Sequence, residues 1–501
     1  MLALALLLGT AGLARGQAAP QPAQPQPQPG QPAQPKAGAQ PAQPAQPGQP
    51  AQPQPTQPQP PPDQPPPPPE QPPVTAPPPT PADLTPSQLE QIRKEMMAMP
   101  KLLESHGYIR SGIGINSKGG DQVAFQAPTA FSKYRLGNET ETYGEIGFDI
   151  NWVNPEKTAA WFKTSVMLAI VAPRNSTFDV LNAIAVRQAY AEAGHIFEKK
   201  PDLTVWAGQR FYRRKDVHIT DFFFHDMSAY GAGFQDLKLG DGKPKIAVAY
   251  LGSSNENPPM ATPPQFGRIL KNTIDLRLYD IPVGKGNLEF WLNPTLVADQ
   301  SKDVTYNGLG GGVFYFMPFM GGFNEVSAEF GFGGSANFNP GLDTGIDSGG
   351  WMLRLLDRAT IQASKQLSVM WTGVVQIDNR NGDALGSSGN LWLSAGARPV
   401  YMFGKYTGIA VEGGVDIVKR EKDPADMDTS SFVQDGATGF LGKLTVAPLI
   451  RPAMDFWARP ELRAFVTAAF WNDTIKGKVG ESPYANDTFG LTAGVQMESW
   501  W

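Results

Sequence analysis

Thr142-Tyr-Gly-Glu-Ile-Gly-Phe-Asp-Ile150 decides the fold. Tyr143, Glu145, Gly147 and Asp149 fall on one side of an extended chain, and Gly144, Ile146, Phe148 and Ile150 fall on the other. One face is smooth and apolar; the other mixes charge with aromatic rings. The same period of two recurs to the end of the chain. Tyr108, Arg110, Gly112 and Gly114 oppose Ile109, Ser111, Ile113 and Ile115. Asp275, Arg277 and Tyr279 oppose Ile274, Leu276 and Leu278, and Asn287, Glu289, Trp291 and Asn293 oppose Leu288, Phe290 and Leu292. Arg463, Phe465 and Thr467 oppose Leu462, Ala464, Val466 and Ala468; finally Thr492, Gln496, Glu498 and Trp500 oppose Leu491, Ala493, Val495, Met497 and Trp501. A soluble sandwich buries its apolar face against a second sheet, whereas a membrane barrel turns that face to lipid and the charged face to a wet lumen. Gly, Asn and Asp punctuate the strands from Tyr108 to Trp501 with no long helical interlude, and 394 residues supply roughly 16–18 strands of outer-membrane length. The expectation is an all-β chain, a large antiparallel transmembrane β-barrel. A secreted β-sandwich or propeller is the competing architecture.

Composition divides the chain into unlike parts. Of 49 prolines, 28 lie between Pro20 and Pro81, and all 51 Phe, Trp and Tyr residues lie at or after Tyr108. Residues 1–16 open with the apolar run Leu2–Leu13, the length of a signal-peptide core and too short to span a bilayer comfortably. Residues 17–82 repeat Gln-Pro and Ala-Gln-Pro with almost no charge and no aromatic, so they have nothing with which to bury a core. They read as a disordered spacer in extended polyproline II, or as a tether that touches the cell wall. Residues 83–104 carry Thr85-Pro-Ser-Gln88 followed by Leu89, Ile92, Met96 and Met97 near helical spacing, which predicts a short amphipathic helix. Residues 105–501 form the barrel. With the barrel beginning near His106, the segment before it belongs in the periplasm.

Several function classes drop out. Net charge is -5 with no long basic stripe, which argues against nucleic acid. Cysteine is absent, so there is no thiol nucleophile or Cys metal site. The four histidines come with no Gly-x-Ser-x-Gly elbow and no His-Glu-x-x-His helix, so no enzyme is expected. Neither a metal nor any other cofactor is called for, and transport, if any, is passive. Lumen placement is read for Trp500, whose own face carries Glu498, and a lipid-girdle placement for Trp501, Phe489 and Phe470.

Longer motifs add a family. His106-Gly-Tyr-Ile-Arg-Ser-Gly112, Ser132-Lys-Tyr-Arg-Leu-Gly-Asn-Glu-Thr-Glu-Thr-Tyr143 and Trp206-Ala-Gly-Gln-Arg-Phe-Tyr-Arg-Arg-Lys-Asp-Val-His-Ile-Thr-Asp-Phe222 resemble stretches of the maltoporins, the trimeric sugar-specific outer-membrane porins. So do Trp457-Ala-Arg-Pro-Glu-Leu-Arg463 and Gly494-Val-Gln-Met-Glu-Ser-Trp-Trp501. The resemblance is close over about 106–238 and 350–501; between them only fragments such as Gly322-Phe-Asn324 match. It implies an 18-stranded barrel, a homotrimer in outer-membrane lipid, and oligosaccharide ligands of the maltose and maltodextrin type. It implies an aromatic slide at Tyr143, Tyr108, Trp500, Trp457 and Phe323, with Phe178 standing beside the position of the family's entrance Trp. It implies a parallel charged track of Arg110, Arg135, Glu145, Arg187, Arg214, Asp216 and Asp221, with His218 and Asp226 nearby. At the constriction a family Tyr is replaced by Phe223. Such a wall suits a sugar, because rings meet the C–H face of a pyranose without directional demand while Arg and carboxylate groups exchange hydrogen bonds with its hydroxyls. A general, weakly selective porin with structural aromatics is the alternative, its N-terminal segment acting as an envelope tether.

Overall fold

The computed structural model describes residues 102–501 apart from 155, 173–182, 241, 243, 257–267, 300–302, 342–347, 380–389 and 421–436. The expected leader, the Pro/Gln-rich segment, residues 83–101 of the expected helix and Phe178 lie outside the described residues. The strands are β1 (Leu103–Asn116), β2 (Thr142–Val153), β3 (Trp161–Ala172), β4 (Ala183–Gly194), β5 (Thr204–Arg210), β6 (Lys215–Val217) and β7 (Phe222–His225). They continue with β8 (Ala229–Lys238), β9 (Lys245–Glu256), β10 (Arg268–Val283), β11 (Gly286–Asp299), β12 (Val304–Phe319), β13 (Gly322–Gly333) and β14 (Trp351–Gln362). The last are β15 (Leu367–Asn379), β16 (Asn390–Met402), β17 (Thr407–Arg420), β18 (Thr438–Ile450), β19 (Glu461–Trp471) and β20 (Phe489–Trp500). The final two residues of the expected helix are already strand: Leu103 and Glu104 pair with Ile150 and Asp149, a ladder partner that an isolated helical turn lacks.

Eighteen of these strands form one antiparallel sheet, while β6 and β7 make a separate two-stranded hairpin. Each barrel strand pairs with its neighbour in sequence, and β1 pairs with β20 from Tyr108↔Trp500 to Asn116↔Thr492, which closes the barrel. Closure removes every sheet edge, the condition for a sheet in lipid. The sandwich and propeller alternatives are therefore excluded.

The period of two fixes which face is which. Ile113 is 68% exposed and Val495 53%, while Arg277 on the opposite parity is 2% and Glu498 0%. Phe148, Ile274, Phe290, Leu462 and Val466 are likewise exposed outward, and so are Phe470, Phe489 and Trp501. Polar residues are buried because the lumen is filled. Residues 117–141, between β1 and β2, turn back into the barrel and bury Val123, Phe125, Tyr134 and Leu136. Lys443 on β18 donates to the carbonyls of Tyr134 (2.8 Å) and Leu136 (2.5 Å), and Glu412 on β17 accepts from the Leu136 amide at 2.9 Å. The Tyr134 ring lies flat on the wall because Gly396 and Gly414 offer no side chain there; a Cβ at either would collide with it. Residues 211–228, carrying the β6–β7 hairpin, form a second inward loop. It buries Val217, Ile219, Phe222 and Phe224, and it meets the first where the Arg135 amide donates to the Ile219 carbonyl at 3.0 Å. Residues 451–460, between β18 and β19, turn inward as well and place Phe456 in the same apolar cluster.

Candidate functional site

The wall of β2, β1 and β20 carries two contacting pairs of rings that strand register sets side by side. Tyr143 and Tyr108 lie 6.2 Å apart between centroids. Tyr108 is the register partner of Trp500, and Trp500 lies 6.3 Å from Trp457 in the turn of 451–460. Strand pairing does this directly: Arg110↔Tyr143 and Tyr108↔Glu145 across β1–β2, and Arg110↔Glu498 across β1–β20, put rings and charges in alternate steps on one lumen face. Four of the five expected slide residues are thus brought together. The fifth, Phe323, lies elsewhere on the wall, on β13, where its ring stacks on Phe316 at 5.4 Å and Arg358 lies over it at 5.3 Å.

Among the expected charged residues Arg110 pairs with Asp221 and Glu145 with Arg187, while the others are held by groups outside that set. Arg110 pairs with Glu141 (2.5 Å), Glu139 (3.4 Å) and Asp221 (3.7 Å) and lies over the Tyr143 ring. Arg135 is enclosed: it contacts Glu139 (2.9 Å) and Glu498 (3.1 Å) and donates to the Tyr108 hydroxyl at 2.5 Å. Glu145 accepts from the Tyr143 hydroxyl at 2.6 Å and meets Arg187 at 3.4 Å. Arg214 sits 3.9 Å from the centres of both Phe211 and Phe223 and pairs with Asp226 at 3.1 Å. Asp221 takes a left-handed backbone, φ 51°, at the end of the short turn His218–Thr220. Asp216 presents its backbone carbonyl to Arg358; burial raises its carboxyl above the ordinary value, with Arg358 acting the other way.

Sequence reasoning set Glu498 on the lumen face without assigning it to the site, and it is the residue that ties the site together. Glu498 is fully buried and touches the Tyr108 hydroxyl (3.0 Å), Arg135 (3.1 Å), Arg459 (2.8 Å) and Arg463 (3.3 Å). Arg459 in turn lies 4.0 Å above the Trp500 ring. Glu139 and Glu461 complete the set, pairing with Arg110 and Arg135, and with Arg463 at 2.7 Å. Burial works against ionisation of Glu139, yet Arg110 and Arg135 hold its carboxyl down to about 2. Alternation marked Glu498 and Arg463 as inward; nothing in it marked Arg459, which sits in a turn. His218 packs among Trp457 (5.3 Å), Trp500 (5.6 Å) and Phe456 (6.2 Å). Burial, reinforced by Arg135 and Arg459 and opposed by Glu498, keeps it neutral well below the ordinary histidine value.

A second network was also unforeseen. Lys215 meets Glu325 at 2.6 Å and Glu289 at 3.5 Å, Arg277 meets Asp275 at 2.9 Å and Glu289 at 2.8 Å, and His225 meets Glu329 at 2.8 Å. With the 2.6 Å contact between Arg277 and the His225 ring, they pin the inward loop to β10, β11 and β13. Among the described residues no group of His, Asp and Glu is arranged to hold a metal ion.

Solved outer-membrane proteins are similar at low identity. The outer membrane channel DcaP of Acinetobacter baumannii is 10% identical, covering 79% of this chain and 97% of that one, with a TM-score of 0.45. OprB of Pseudomonas putida is 10% identical, covering 82% and 97%, with a TM-score of 0.41. Wzi of Escherichia coli, described as a carbohydrate-binding β-barrel involved in capsule assembly, is 10% identical, covering 82% and 87%, with a TM-score of 0.41. The family model described as LamB porin matches residues 103–501, the whole barrel from the first residue of β1 to the last of the chain. With that match come the outer membrane as location, a porin channel as function, and the exclusion of an enzyme. The chain belongs to the LamB porin family.

Proposed function

We propose that this porin conducts oligosaccharides of the maltose and maltodextrin type by facilitated diffusion along Tyr143, Tyr108, Trp500 and Trp457. The observation that carries the reading is the placing of those four rings, as two contacting pairs on neighbouring strands, along one lumen wall flanked by paired arginines and carboxylates. A sugar leaves one ring as it meets the next, and no contact is strong enough to trap it. Glu145, Arg187 and Asp221 keep enough exposure to meet hydroxyls, whereas Arg110 is buried among its carboxylates. Arg135 is enclosed, so its part is to fix Tyr108. Arg214, stacked with Phe223, and Asp216 act from the inward loop, and Phe323 offers a separate apolar contact on β13.

The assembly we propose is a homotrimer, with residues 17–82 as a periplasmic spacer behind a cleaved leader. Block of ion current in planar bilayers by maltose, maltotriose and maltohexaose tests the main reading. Concentration-dependent block is expected. Open current unaffected by every maltodextrin and by sucrose at millimolar levels leaves a general porin in its place.

A further inference from the structure

We propose a second carbohydrate subsite, distinct from the ring row, centred on Tyr190 of β4 and nearer the barrel end with the short turns. This inference rests on the reading of the channel as a sugar porin.

Tyr190 pairs with Ser165 on β3, which itself pairs with Asp149 on β2. Asp149 lies four residues beyond Glu145 along β2, so the row holding Tyr190 stands on the order of 14 Å past the level of Tyr108 and Trp500. Around it are groups of both signs. Lys163 meets Asp149 at 3.1 Å and Glu192 at 3.6 Å, and Arg210 meets Glu192 at 3.3 Å. Arg210 and Lys163 lie over the Tyr190 ring, at 4.9 and 5.8 Å. The side chains of Lys163, Asp149 and Arg210 stay partly open, at 13, 15 and 14%.

Two features distinguish this cluster from a plain charge ladder. The Tyr108 and Tyr143 hydroxyls are committed to Glu498 and Glu145, at 3.0 and 2.6 Å. Among the described residues no hydrogen bond engages the hydroxyl of the half-buried Tyr190, and Nη1 of Arg210 is a buried donor without an acceptor. A donor-acceptor phenol beside an unfilled guanidinium donor, with two carboxylates and an ammonium in balance, suits a neutral polyhydroxylated ligand. A net anion meets Asp149 and Glu192 there, and a net cation meets Lys163 and Arg210. A chain seated on the ring row reaches this subsite only when it is long, so the subsite lengthens the preference of the channel.

The test is single-channel block by maltotriose and maltohexaose in the full-length protein and in the variants Tyr190→Phe and Tyr190→Ala. Loss of one hydrogen-bonding group weakens maltohexaose block by about threefold in Tyr190→Phe, and loss of the whole side chain by about tenfold in Tyr190→Ala. Maltotriose block changes by less than about twofold in both, since it is held by the ring row. The Phe variant keeps the ring and its cation contacts, so it carries the test if Tyr190→Ala does not fold. Maltohexaose block unchanged in Tyr190→Phe, with the parent blocked normally, overturns the subsite alone. No block of the parent by either sugar overturns the sugar-porin reading and the subsite with it.

Discussion

Replacing Glu498 by Gln tests the linkage between the barrel wall, the inward loops and the ring row. Glu498 belongs to a cluster of five arginines (Arg110, Arg135, Arg451, Arg459, Arg463) and five carboxylates (Glu139, Glu141, Glu461, Glu498, Asp221) joined by ion pairs. The charges cancel five against five; the variant leaves one positive charge over. Removing one partner from a buried pair costs about 3–5 kcal/mol when the other is left alone. Here none is left alone. Arg135 keeps Glu139 at 2.9 Å, Arg463 keeps Glu461 at 2.7 Å, and Arg459 keeps Glu461 at 3.7 Å. Gln also retains an oxygen to accept from Tyr108. The expected cost therefore lies at the low end, about 3 kcal/mol, roughly two charge-assisted hydrogen bonds reduced to neutral ones.

Urea unfolding of the refolded barrel, followed by tryptophan fluorescence, reads that cost as a lower midpoint at unchanged slope. Reversal potential across a salt gradient reads the surplus charge as a shift toward anions. Loosening of Tyr108, and of Arg459 above Trp500, weakens maltodextrin block as well. A variant within about 1 kcal/mol of the parent, with the same reversal potential, refutes the cluster as the tie between wall and loops.

Other perturbations separate ring, loop and backbone contributions. Trp457→Ala and Trp500→Ala each weaken maltodextrin block about threefold to tenfold, and the double variant loses less than the product because the rings touch; unchanged block constants contradict the ring row. Lys443→Met frees the carbonyls of Tyr134 and Leu136, so residues 117–141 withdraw from the wall and single-channel conductance rises; equal conductance contradicts that anchoring. Gly137 has φ +70°, and a Cβ there runs into Thr467, so Gly137→Ala lowers stability by more than about 1 kcal/mol in the same urea assay. His218 has a folded pKa well below its ordinary 6.5, so its contribution to stability is complete above about pH 6.5 and is lost as pH falls below that toward the folded value. His218→Gln flattens the pH dependence of the urea midpoint over that window, and an unaltered slope contradicts the buried neutral ring.

The barrel was legible because its two faces meet different solvents. Alternation at Thr142–Ile150 follows from Phe148 facing lipid while Tyr143 and Glu145 face the lumen, and the same rule held for Ile113 against Arg110 and Leu462 against Arg463. The inward loops obey no such period. Residues 117–141 are held by Lys443 and Glu412, some three hundred positions away, and a contact of that separation leaves no trace in local sequence. Lumen placement of the candidate residues was legible where strand parity decides it, at Tyr108, Tyr143 and Trp500. Arg459 and Glu139 escaped because they sit in turns and loops, where side-chain direction depends on what the turn packs against. Phe323, proposed from the resemblance alone, lies on β13 with Phe316 as its stacking partner.

The pairing of almost every charge along the ring row has a kinetic consequence. An unpaired arginine in a narrow lumen is a deep well for any anion or hydroxyl-rich ligand, and a ligand caught there leaves slowly. Here Arg110 is shared among Glu139, Glu141 and Asp221, and Arg459 between Glu461 and Glu498. A sugar hydroxyl that approaches finds a guanidinium whose strongest bonds are already made, and it competes mainly with water. On the proposed route each step exchanges bonds of similar strength, which keeps the landscape along the wall shallow while the rings exclude water from one side of the sugar. The same balance explains how a lumen dense in charge remains folded: the five-against-five cluster fastens the loops and at the same time lowers the affinity of each group for passing solute.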